Sequence, residues 1–135
     1  MANSNGFDPK LKGIRFETIE LKASNANSSV NTIPDSVKSV KVVGVVNDAN
    51  DWITLPSLAR QDDNHEVIIN CAAGGNFELR TPASSNEKIN NVDSDGTQEY
   101  LCTDTDLVRC VKKSSGWICQ SITNLGAVRT AVVPD

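Results

Sequence analysis

Four cysteines, one histidine and a few paired acids are the residues whose chemistry could go beyond packing. Cys71, Cys102, Cys110 and Cys119 form no C-x-x-C pair, and His65 is the single histidine. A structural zinc ion needs about four sulfur or nitrogen ligands converging tetrahedrally, and this spacing lacks the paired ligands that usually supply them. The bland alternative is a set of reduced thiols acting as small apolar side chains. One pair stands apart. A turn centred on Ser114 and Ser115 would set Cys110 opposite Cys119, Val111 opposite Ile118 and Lys112 opposite Trp117. Directly opposed strand residues lie within contact distance, so a Cys110–Cys119 disulfide is geometrically reachable, although such bridges are often strained. It would need an oxidising compartment, and residues 1–6 are polar and uncharged, unlike a secretory signal.

Catalytic constellations are not expected. A serine triad would have to use His65, and no G-x-S-x-G elbow is present to expose a nucleophile. His65 lies between Asn64 and Glu66 at the start of a strand and reads as a solvent-facing structural histidine. Asp62 with Asp63, and Asp104 with Asp106, fall in polar connections where turn chemistry is the expected role. Residues 91–96 (Asn-Val-Asp-Ser-Asp-Gly) resemble the opening of a calcium loop. The place of the bidentate Glu is held by Cys102, so a plain Asp-Gly turn is expected. No catalytic residue, no metal and no cofactor is expected, and the chain is not read as an enzyme.

The elements around these residues follow from composition. Val (14), Ile (9) and Thr (9) outnumber Leu (8) and Met (1), which favours strands over helices. Asn (14) and Ser (13) supply turns. A net charge of −4 argues against nucleic acid, whose binding rests on neutralised phosphates, and against an anionic membrane surface. Strands are expected over 13–22, with a register shift, and over 37–46, 51–55, 66–71, 76–81, 97–102, 106–113 and 116–123. A last strand or extended tail is expected over 127–133. Gly74-Gly75 is expected to turn a hairpin, and residues 56–63 to form at most one short turn. The sequence thus divides into an arm (1–12) and a single β-domain (13–135), comprising first strands and loop (13–50), a β-core (51–122) and a C-terminal strand or tail (123–135). The expected fold is all-β, a small antiparallel sandwich or barrel with an extended N-terminal arm.

From residue 51 onward the order of features resembles a known group. Trp52-Ile53-Thr54-Leu55-Pro56 ends a strand in Leu-Pro. Val67-Ile68-Ile69-Asn70 forms the next, followed by Phe77-Glu78-Leu79-Arg80 with Pro82, and by an Ile89-Asn90 corner. The series closes with Leu107-Val108-Arg109-Cys110-Val111 turning into Gly116-Trp117-Ile118-Cys119. This series is similar to the trimeric head decoration, or cement, proteins on the exterior of tailed bacteriophage particles, and more loosely to domains of head and tail fibres. The connection after Leu-Pro lacks the Gly usual in that pattern and reads 57–64 instead. The resemblance implies a β-tulip-like, homotrimeric virion structural protein. It would assemble in the host cytoplasm, bind the capsid exterior and clamp neighbouring major-capsid subunits. It also implies an arm that pairs with a capsid strand through Phe7, Lys10, Leu11, Lys12, Arg15 and Phe16. The apolar surplus of Val37 to Val46 would then serve a subunit interface. The alternative is a head-fibre or tail-fibre component whose β-domain binds a receptor or another virion part.

Overall fold

A strand's backbone must find hydrogen-bond partners, and in this chain the first strands find them in a neighbouring turn of chain. The computed structural model describes residues 17–94 and 99–130. The strands are β1 (Thr18–Ala23), β2 (Ser39–Val45), β3 (Trp52–Thr54), β4 (Glu66–Cys71), β5 (Phe77–Arg80), β6 (Lys88–Ile89), β7 (Val92–Asp93), β8 (Tyr100–Cys102), β9 (Leu107–Lys113) and β10 (Gly116–Ile122). A single 3₁₀ turn, Leu58–Arg60, interrupts them. The all-β expectation therefore holds.

The antiparallel sandwich or barrel does not. One sheet has the order β1-β2-β4-β9-β10-β6-β7 and the other β3-β5-β8. Within them β1 runs parallel to β2, β2 to β4, and β3 to β5. The chain alternates between the two sheets: β2 in the first, β3 in the second, β4 in the first, β5 in the second. Each pass lays a strand beside the equivalent strand of the pass before, which gives a solenoid-like arrangement. The first pass is abbreviated, with β1 in one sheet and a lone parallel bridge, Thr32 to Thr54, at the edge of the other. Antiparallel pairing takes over afterwards, with β8 on β5, β9 on β4 and β10 on β9.

A short repeat marks the passes. Thr32-Ile33-Pro34, Thr54-Leu55-Pro56 and Arg80-Thr81-Pro82 stand in equivalent places, with Thr32 facing Thr54 and Thr54 facing Arg80. The middle residue points inward each time: Ile33, Leu55 and Thr81 are all buried. Its N–H donates to the next rung, Ile33 to the Thr54 carbonyl (2.9 Å), Leu55 to Arg80 (2.8 Å) and Thr81 to Ser94 (2.9 Å). The proline that follows has no N–H to give, so the ladder stops there and the chain turns the corner.

The inward side chains of both sheets form one cluster. Val40, Val42, Val67, Ile69, Val108 and Trp117 come from the larger sheet, and Ile53, Phe77, Leu79 and Tyr100 from the smaller. The register shift expected after Thr18 is not seen in β1, which alternates regularly with Ile19, Leu21 and Ala23 inward; the irregularity lies opposite Leu21 and Lys22, where β2 carries an extra residue, Val43. Gly74 has a φ of +76°, as a tight turn requires. It does not close a hairpin, however, because β4 and β5 belong to different sheets. The local signal reported a reversal of direction, and the neighbour was chosen by the core. Of the expected last strand, the described residues show a bridge between Ile122 and Val128, and residues 131–135 lie outside the described part.

β6 meets β10 in parallel with Gly116 against Lys88, and a Cβ on Gly116 would stand 2.9 Å from the Lys88 carbonyl oxygen. That contact involves backbone and cannot rotate away. Gly116→Ala is expected to cost about 1–3 kcal/mol through forced separation of β6 from β10. Denaturant unfolding together with faster hydrogen exchange at Asn90 checks it, and unchanged exchange would refute the contact as the cause.

Candidate functional site

The polar groups that could do chemistry are tied down by the fold. His65 is buried, not solvent-facing as its place in the sequence implied. Its Nε2 lies 3.0 Å from the Val37 carbonyl and its Nδ1 3.3 Å from Lys38 Nζ. A carbonyl only accepts and an ammonium only donates, so the ring carries its proton on Nε2 and accepts at Nδ1. Neutral His65 thus fastens the strand entering β2 to the one entering β4. Lys112 of β9 reaches the same corner, donating to the Gln61 carbonyl, with Asp63 3.6 Å away.

The acids divide. The Asp62 carbonyl accepts the His65 N–H at 3.0 Å, which closes a turn as expected, whereas Asp104 accepts the Gly74 N–H at 3.1 Å and so ties two loops thirty residues apart. Asp106 departs from that expectation. It is 1% exposed and takes both arms of the Arg129 guanidinium, Nε at 2.7 Å and Nη2 at 2.9 Å. This hydrogen-bonded pairing holds Arg129 in its charged form, raising its pKa above the ordinary guanidinium value. The pair draws residues 123–129 back over the hairpin, where the Arg129 N–H also meets the Ser121 carbonyl at 2.9 Å. Sequence reasoning missed Arg129. The available signal was a buried acid's need for a bidentate partner, and Asp106 offered no sign of burial in its polar connection.

Two further buried polar residues close loops. The Asn31 amide donates to the Ser24 and Trp52 carbonyls, and its Oδ1 accepts from the Ser28 N–H at 3.0 Å. Asp51 accepts the Asn47 N–H at 2.6 Å. On the outer side of the small sheet, Arg80 lies 4.0 Å over the Trp52 ring and bonds Glu78 (3.2 Å) and Glu99 (2.5 Å).

All four cysteines are buried, unbridged thiols. The predicted register is present: Cys110 faces Cys119, Val111 faces Ile118 and Lys112 faces Trp117. Cys110 and Cys119 stand 3.0 Å apart, sulfur to sulfur. Burial is the leading cause that lifts the thiol pKa of Cys102 and of Cys119 well above the ordinary range, helped by the hydrogen bonds these thiols give to Cys71 and Cys110 respectively. Burial likewise lifts the Tyr100 hydroxyl, which shares a 2.7 Å hydrogen bond with Ser121. Among the described residues no group of three or more His, Cys, Asp or Glu side chains could hold a metal ion. Of the calcium-like stretch, Asp95 and Gly96 lie outside the described residues, and Ser94 bonds the Val92 carbonyl.

What remains exposed is surface for contact. The outer face of β9 and β10 presents Ile118, 50% exposed, with Leu107 and, on the returning segment, Val128. Arg109 on this face pairs with Glu66 of β4. A recess of about 260 Å³ opens here among Tyr100, Arg109, Ile118, Cys119, Val128 and Arg129. At the far edge of the same sheet, β1 has one outer backbone partner among the described residues, the Val30 carbonyl at Lys22. The six residues expected to bind a partner, Phe7, Lys10, Leu11 and Lys12 of the arm and Arg15 and Phe16 just after it, lie outside the described residues. No protein-family model matches the chain, and no curated protein is significantly similar to it.

Two predictions follow from this geometry. Arg129→Ala leaves the Asp106 carboxylate buried without its partner. Exchange at the Ser121-bonded amide of residue 129 is expected to rise at least roughly tenfold, with a lower melting temperature. The reduced protein is also expected to lose stability in alkali. The native state holds the thiol protons of Cys102 and Cys119 more tightly than the unfolded chain does, so their contribution is intact below the unfolded thiol pKa of about 8.5 and declines above it. The decline is about 1.4 kcal/mol per pH unit for each thiol the unfolded chain ionises. Urea unfolding between neutral pH and pH 10 measures this, and a flat profile would contradict it.

Proposed function

We propose that this protein is a virion structural component, a decoration or cement protein that binds the outer surface of a tailed-phage head and clamps neighbouring major-capsid subunits. The observation that carries the reading is the contrast between interior and surface. His65 and Asn31 fasten one pass of chain to another, Asp51 closes a loop, and Asp106 holds the segment that returns over the hairpin. The outer sheet face offers apolar side chains, and among the described residues the β1 edge has one outer backbone partner. Such an edge, with a polar arm earlier in the sequence, supports β-strand addition to a neighbouring subunit, where backbone bonds give affinity and alternate side chains give selectivity. The resemblance of residues 51–122 to head decoration proteins adds the partner and a homotrimeric state. Three linked weak contacts over a symmetric site then become one durable attachment.

A second reading has its own support. Parallel passes stacked on one another are an architecture that extends along one axis, which suits a head-fibre or tail-fibre component. Copy number separates the two. Full-length protein added to purified heads lacking it is expected to bind in many copies and to raise the temperature at which the heads release DNA. Removal of residues 1–12 is expected to weaken binding at least roughly tenfold. A few copies per particle would favour the fibre, and no binding to any virion part would end both readings.

A further inference from the structure

The β9–β10 hairpin turns on Ser114 and Ser115, with Lys113 paired to Gly116. Facing residues in an antiparallel ladder alternate between pairs that exchange backbone hydrogen bonds and pairs that do not, and the second kind bring their side chains closer. Cys110 and Cys119 are of the second kind. The Cys119 N–H is given to the Asn90 side chain at 2.9 Å, and the Trp117 carbonyl accepts the Asn90 N–H at 2.9 Å. Both groups therefore point towards β6 and away from β9. The sulfurs, at 3.0 Å, are roughly 1 Å beyond a covalent S–S bond, and both α-carbons are fixed in one ladder at a spacing that disulfides tolerate.

We propose that Cys110 and Cys119 form an oxidation site, which a small-molecule disulfide of the glutathione class converts into an intramolecular cross-strand disulfide. The deprotonated sulfur of Cys119 attacks one sulfur of the small disulfide. That S–S bond breaks, and the released thiolate takes up a proton. The deprotonated sulfur of Cys110 then attacks the Cys119 sulfur, breaking the mixed disulfide and releasing the second small thiol. Two protein thiols are oxidised and one small disulfide is reduced to two thiols, which carry away the two protons.

Access singles out Cys119. It is 6% exposed and lines the recess under the returning segment, whereas Cys71, Cys102 and Cys110 are 1%, 0% and 0% exposed. Cys110 is the thiol that Cys119 meets, and the hydrogen-bonded Cys71 and Cys102 are sealed between the two sheets. Burial keeps the Cys119 thiol protonated in the closed hairpin. Exchange therefore waits on local opening and is slow, on the scale of minutes to hours. The chemistry stands whether or not the virion reading does. If that reading holds, the bond would form after the particle leaves a reducing cytoplasm, and would fasten the hairpin on its exposed face.

The test uses the full chain, purified reduced and then incubated with oxidised glutathione. Remaining thiols are blocked under denaturing conditions before intact-mass measurement and tryptic mapping. The expected product has two blocked thiols in place of four. Its one bridge joins the peptide containing Cys110 to the peptide containing Cys119, and its melting temperature rises by about 5–10 °C. Cys110→Ser is expected to show no such rise on oxidation. Cys71→Ser with Cys102→Ser is expected still to form the bridge; if that variant does not fold, the wild-type peptide map decides alone. Four blocked thiols after prolonged exposure, or a bridge involving Cys71 or Cys102, would overturn the proposal.

Discussion

Parallel strands cannot be joined by a tight turn, so the chain between them must travel. Here it travels through the opposite sheet, and that excursion organises the molecule. Thr32-Ile33 has its ladder partner in Thr54-Leu55, and Thr54-Leu55 has its own in Arg80-Thr81. Each rung supplies the backbone bonds and half the apolar cover that the previous one lacks. Ile33, Leu55 and Thr81 occupy successive levels of one core, and none could be buried by its own pass alone. Among the described residues the abbreviated first pass leaves β1 as the outermost strand. At the other end the larger sheet continues through β9 and β10 to β6 and β7, and the smaller ends on β8.

That arrangement explains where the buried polar groups sit. Crossings between sheets leave backbone carbonyls and amides at the corners, away from any ladder, and each needs a partner. Asn31 satisfies two carbonyls at one corner, Asp51 an amide at another, and His65 a carbonyl where two passes meet. Asp106 and Arg129 do the same for the chain's return over the hairpin, as an ion pair. Histidine, aspartate and asparagine are catalytic residue types in other settings. In this protein the buried ones spend their hydrogen bonds on the architecture.

The chemistry left uncommitted concentrates on one hairpin. Its inner side carries two adjacent thiols, and its outer side carries Ile118 and Leu107 beside the Arg109–Glu66 pair. The recess under Val128 and Arg129 connects the two sides. Whatever docks on this face changes access to Cys119, and whatever bridges the thiols stiffens the face. Binding and oxidation therefore bear on the same element.

The sequence by itself determined the longer strands and, where alternation is regular, their inward faces, whereas the two-residue strands β6 and β7 fell in a stretch that read as loop. Alternation marked Phe77, Leu79 and Thr81 as one face, and the two-residue turn fixed the facing of Cys110 and Cys119, because both are set by neighbours a few residues away. The tertiary structure alone decided which strands lie side by side. Gly74 turns the chain with the same φ whether the next strand pairs with β4 or crosses to the other sheet, so the parallel passes were invisible locally. Their trace in the sequence is the thrice-placed proline at 34, 56 and 82, irregularly spaced and legible only once Thr32, Thr54 and Arg80 are seen in register. The burial of His65 and the pairing of Asp106 with Arg129 were likewise hidden, because solvent exposure depends on what the rest of the chain places overhead.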